Sequence, residues 1–77
     1  MSAKKRRDRD IEKGYSPAQF AAKLRRLADA VEKGGRFRIQ VAGESIPVPA
    51  DAVFNIEHER EGDAEEVEFQ LKWRRQR

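Results

Sequence analysis

The tightest constraint on this chain lies near its end, where Val67, Phe69, Leu71 and Trp73 alternate with Glu68, Gln70 and Lys72. Side chains of a strand point to opposite faces in turn, so this stretch makes a strand with one apolar and one charged face. Wound into a helix, the same apolar residues would scatter around the cylinder and form no stripe. Trp73, the only tryptophan, closes the apolar face. The rest of the chain can be read as cover for that face.

One segment has the form of a lid. Phe20, Leu24, Leu27, Ala28 and Val31 recur at helical spacing, while Lys23, Arg25, Arg26, Asp29 and Glu32 take the other side. Ser16 can cap the free N–H groups, and Pro17 suits the first helical position. Gly34 and Gly35 end the run, because glycine enters left-handed backbone without a Cβ clash. The expected helix is therefore Pro17 to Lys33, with Ile11 and Tyr15 as an extended lead-in.

Three further alternating runs precede the last strand. Phe37, Ile39 and Val41 make one. Ile46 and Val48, interleaved with Pro47 and Pro49, make the second. Phe54, Ile56 and His58 make the third. Glu61-Gly62-Asp63 is the expected final turn. Antiparallel pairing across it sets Phe54 opposite Leu71, Ile56 opposite Phe69 and His58 opposite Val67, which keeps one face apolar. It also opposes Glu57 to Glu68 and Glu59 to Glu66, an unfavourable arrangement. In the first hairpin, a loop from Ala42 to Ser45 pairs Val41 with Ile46 and Ile39 with Val48. Proline has no N–H to give a ladder, so the Ile46–Pro49 strand belongs at a sheet edge; a simple meander, with that strand next to Val53–Glu59, is the competing arrangement. The expected fold class is α+β, one helix packed on one face of a four-stranded antiparallel sheet. Phe54, Phe69 and Trp73 are expected in its core. The domain spans residues 11–73, between a disordered basic arm at 1–10 and a basic C-terminal tail at 74–77.

Three stretches carry a resemblance. Leu27-Ala28-Asp29-Ala30-Val31-Glu32-Lys33-Gly34 ends the helix, Val48-Pro49 follows the amphipathic hairpin, and Glu68-Phe69-Gln70-Leu71-Lys72-Trp73 closes the chain. In this order and spacing they resemble the amphi-Trp domain, a family of small prokaryotic proteins named for an amphipathic segment ending in tryptophan. The likeness runs from about Asp10 to Trp73. It brings no activity, cofactor or catalytic residue to any position.

Charge separates the remaining possibilities. The first thirteen residues hold six bases against three acids, and the net charge of the whole chain is +3. Seven acids crowd between Glu57 and Glu68, and four bases follow from Lys72 onward. One histidine and no cysteine leave little for catalysis. His58 reads as a partly buried, hydrogen-bonded residue at the sheet end rather than a general base. Ser16 is a cap and Ser45 a turn residue, and no phosphate-cradling glycine pattern occurs. Glu57, Glu59, Glu66 and Glu68 share a face and could attract a divalent cation, but no loop of spaced Asp and Asn builds a site. No enzyme, metal or cofactor is expected. Nor is a membrane segment: no apolar run nears the roughly 20 residues that a spanning helix needs. With no cysteine and no leader pattern, a soluble cytoplasmic protein is expected.

Two binding readings remain. An open sheet face and open edges suit a protein partner or a second copy of the chain. Alternatively Lys4, Lys5, Arg6, Arg7 and Arg9, with Arg74, Arg75 and Arg77, could release counterions from a nucleic-acid backbone. The interaction module is the first reading, because the acidic hairpin would repel phosphate.

Overall fold

The computed structural model describes residues 9–75. Helix α1 (Pro17–Lys33) is followed by strands β1 (Phe37–Val41), β2 (Glu44–Val48), β3 (Val53–Glu61) and β4 (Ala64–Lys72). The helix starts and stops where its local signals place it. Ser16 Oγ accepts from the Gln19 N–H, and Gln19 Oε1 accepts from the Ser16 N–H, each at 3.2 Å. This reciprocal box satisfies donors that the first turn otherwise leaves free. Gly34, at φ +83°, ends the helix and donates its N–H to Ala30 and Val31 carbonyls.

The strands form two separate two-stranded antiparallel sheets, β1–β2 and β3–β4. The single four-stranded sheet is thereby corrected, and two features of the short hairpin account for it. In a two-residue hairpin the residues flanking the loop form a hydrogen-bonded pair, and pair types alternate from there. Val41 flanks the loop with Glu44, so Arg38↔Pro47 is a non-hydrogen-bonded pair. The Pro47 nitrogen thus faces away from β1, with no hydrogen to offer β3. Gln40 also turns its backbone outward, and its carbonyl accepts from Lys23 Nζ at 2.7 Å. One edge is blocked by proline, the other by a lysine. The placement of β2 at an edge follows, and the meander does not form.

The register of β1–β2 also differs from expectation. Ile39 faces Ile46 and Phe37 faces Val48, two residues away from the anticipated pairing. The loop is Ala42-Gly43, both with positive φ (46° and 86°), as a type I′ turn requires. Alanine rarely adopts that backbone, whereas the expected loop centred on Gly43-Glu44 asks it only of Gly43. A slip of two preserves the faces, so the apolar sides stay together. The β3–β4 register is the expected one throughout, from Val53↔Lys72 to Glu61↔Ala64. Its loop, Gly62-Asp63, has positive φ only at Gly62, the type II′ pattern.

Burial is sparse. Val48, at 1% exposure, is the one fully buried residue among those described. Leu27, Ala30, Val31, Phe37, Ile39 and Trp73 are half-buried. Phe54 and Phe69, expected in the core, are instead more than half exposed. The reason is geometric: the helix stands off the long hairpin and leaves an open groove between them.

Candidate functional site

The β3–β4 hairpin sorts its residues by face through its register alone. One face carries Phe54, Ile56, His58 and Arg60 on β3, opposite Leu71, Phe69, Val67 and Glu65 on β4. Ile56 is 69% exposed, Phe69 61%, Val67 60% and Phe54 51%. Across from this face stand Leu24, Leu27, Ala28 and Val31 of α1, and between them lies a groove of about 730 Å³. Its walls are almost wholly apolar. Contiguous exposed apolar surface on this scale marks an interaction site more often than an accident of folding.

The hairpin tip ends the apolar face with charge. His58 Nε2 lies 2.7 Å from Glu65 Oε2, which also accepts from Arg60 Nε at 3.0 Å. The hydrogen-bonded role expected for His58 is present, but the ring is exposed rather than partly buried. Arg60 and Glu65 form an exposed ion pair, and such pairs contribute little stability.

The opposite face is acidic. Glu57 faces Glu68 and Glu59 faces Glu66, as the sequence indicates. Gln70 relieves part of the repulsion: its Nε2 donates to Glu57 Oε1 at 2.8 Å and to Glu68 Oε1 at 3.1 Å. The Glu68 carboxyl is held above its ordinary range, first by its hydrogen bond with Glu57 and next by the charge of Glu66. Among the described residues, no three or more acidic, histidine or cysteine side chains converge as metal ligands.

Of the basic residues considered for nucleic acid, Arg9, Arg74 and Arg75 are among those described. Arg9, assigned to the arm, is tied to the first hairpin: it pairs with Glu44 at 3.1 Å and donates to the Val41 carbonyl at 2.8 Å. Arg74 and Arg75 are exposed beyond Trp73. Lys4, Lys5, Arg6, Arg7 and Arg77 lie outside the described residues, as does most of the arm. Tyr15 carries Lys13 and Lys23 at 5.6 and 5.8 Å from its ring centre, a contact that anchors the lead-in to the helix.

The edges complete the site. A cleft of about 460 Å³ lies between β4 and the rest of the chain: Val67, Phe69 and Gln70 line it on one side, and Ile39 and Val41 of β1, Leu24 of α1 and Ile11 and Tyr15 of the lead-in line the other. Among the described residues, β4 pairs with β3 alone. Sequence reasoning foresaw open edges but not which one, because the Lys23–Gln40 contact joins residues with no local signal between them. Among the described residues, no helix is long and apolar enough to cross a membrane.

The model of one protein family, described as the Amphi-Trp domain, matches residues 3–77. No curated protein and no solved structure matches the chain.

Proposed function

Because the chain belongs to the Amphi-Trp domain family, and nothing in its described geometry assembles a reacting centre, we propose that it is a non-catalytic interaction module. Its working surface is the apolar face and outer edge of the β3–β4 hairpin. One observation carries this reading: the hairpin holds Phe54, Ile56, Val67 and Phe69 more than half exposed, while among the described residues Val48 alone is fully buried. At roughly 25 cal/mol per Å² of apolar surface, covering even part of that face is a substantial driving force for association. The cysteine-free composition suits work in a reducing, cytoplasmic setting.

The reading is tested in dilute solution with a soluble paramagnetic relaxation agent. Ile56 and Val67 methyl signals are expected to broaden as strongly as those of surface residues. If they are shielded as fully as the Val48 methyls, the hairpin is covered by its own chain and the reading fails.

A further inference from the structure

We propose a second site, apart from the hairpin surface: a small phosphate monoester binds in the cleft between α1 and β1. The cleft has a volume of about 310 Å³, and Lys23, Arg26 and Arg38 line it with no acid from among the described residues. Helical spacing accounts for the first two. Residues three and four apart share a helix face, so Lys23, Arg26, Leu27 and Ala30 turn one stripe toward β1.

None of these three bases is paired with a carboxylate among the described residues. Lys23 Nζ donates to the Gln40 carbonyl at 2.7 Å, and Arg38 Nε donates to Ser45 Oγ at 2.8 Å, both neutral acceptors. The Arg26 side chain has no hydrogen bond or ion pair among the described residues. By contrast, Arg9 and Arg60 meet Glu44 and Glu65. The first of these pairs also neutralises Glu44, the acid next to Ser45 in sequence. Charge of one sign left in a cleft raises the local concentration of counter-ions. The contacts of Lys23 and Arg38 also hold their heads in place. Gln40 and Ser45 are cross-strand partners, so the ammonium and the guanidinium are anchored on adjacent residues. An ammonium has three N–H groups and a guanidinium five, and these contacts leave several of them for a ligand.

Two features select the ligand class. Three positive charges favour a dianion over a monoanion, and guanidinium groups match the geometry of phosphate oxygens. A phosphate monoester is a dianion above its second pKa of about 6. Its organic group has a place to lie, because Leu27, Ala30, Phe37 and Ile39 form a half-buried apolar floor between the bases. Small-molecule sites begin at roughly 300 Å³, so the cleft suits a small ester rather than a polymer. The acidic β3–β4 hairpin contributes no residue to it.

Titration with phenyl phosphate, followed by backbone amide and arginine Nε–H signals, tests the site. The shifts should saturate and centre on Arg26, Phe37 and Arg38. Arg26→Gln and Arg38→Gln should each weaken binding roughly tenfold, the effect of one lost charge-assisted hydrogen bond. Arg25→Gln removes the same charge from the same helix but outside the cleft, and should change affinity by less than about twofold. An equal loss with Arg25→Gln overturns the proposal, since the ligand would then answer to net charge alone. Shifts that stay linear at millimolar phenyl phosphate overturn it too. Inorganic phosphate should bind several-fold more weakly because it leaves the apolar floor uncovered, and equal affinity overturns the ester assignment. Dimethyl phosphate, a monoanionic diester, should bind more weakly than phenyl phosphate. If it binds as well, the cleft reads a nucleic-acid backbone and the monoester assignment fails.

Discussion

Ala42→Asn is expected to stabilise the protein. Ala42 sits at φ +46°, and left-handed backbone costs an L-residue with a Cβ roughly 1–2 kcal/mol. Asparagine tolerates that region and, followed by Gly43, completes the preferred two-residue hairpin sequence. A gain of about 1 kcal/mol should raise the unfolding midpoint by roughly 4–8 °C in a domain of this size. Ala42→Gly relieves the same strain but adds freedom to the unfolded chain, about 0.4–1 kcal/mol in the opposite sense, so its gain should be smaller. The measurement is thermal unfolding by circular dichroism, with all three proteins at one concentration. Gly43→Ala supplies the converse: a Cβ there would meet open space, so any loss comes from φ +86° alone. The reasoning is refuted if Ala42→Asn is neutral or destabilising. A four-residue loop with Val41 opposite Ile46 would give that result, since Ala42 would then need no left-handed backbone.

Two further outcomes follow from the site. Glu68 has a raised carboxyl pKa in the folded hairpin, so the folded state holds that proton more tightly than the unfolded one. Its contribution to stability is present below the ordinary carboxylate range and is lost as pH rises through the folded value. Glu68→Gln should therefore gain stability over the parent as pH rises from about 4 to 7, the ordinary carboxylate pKa lying near the lower limit. A difference in midpoint that shrinks with pH would contradict the assignment. Trp73 is half-buried, so Trp73→Ala should cost about 2 kcal/mol, roughly half of the 3–5 kcal/mol for a fully buried aromatic. Urea unfolding checks this, and an unchanged midpoint would remove Trp73 from the structural role its position suggests.

The parts of the fold that were legible in the sequence are those set by local chemistry. Ser16-Pro17 and Gly34-Gly35 bound the helix because capping and left-handed backbone act over three or four residues. The long hairpin was legible because two apolar sets of equal spacing flank Gly62-Asp63. The short hairpin was misread by two residues because Ala42 takes a backbone conformation its side chain disfavours. The single sheet was misread because pairing between hairpins depends on what occupies each edge. Pro47 announces its edge in the sequence; Lys23, which holds the Gln40 carbonyl from seventeen positions away, does not. The candidate surface was half legible for the same reason. Alternation identified Phe54, Ile56, Val67 and Phe69 as one face, but alternation cannot say whether the helix closes over it.

The most direct test of that surface is amide hydrogen exchange at Phe69 in dilute solution. Its N–H points away from β3, whereas the Glu68 and Gln70 N–H groups lie within the β3–β4 ladder. In dilute solution Phe69 is expected to exchange fast while Glu68 and Gln70 are protected. A Phe69 amide as protected as those of Glu68 and Gln70 would show that the edge is closed within the chain and contradict the account.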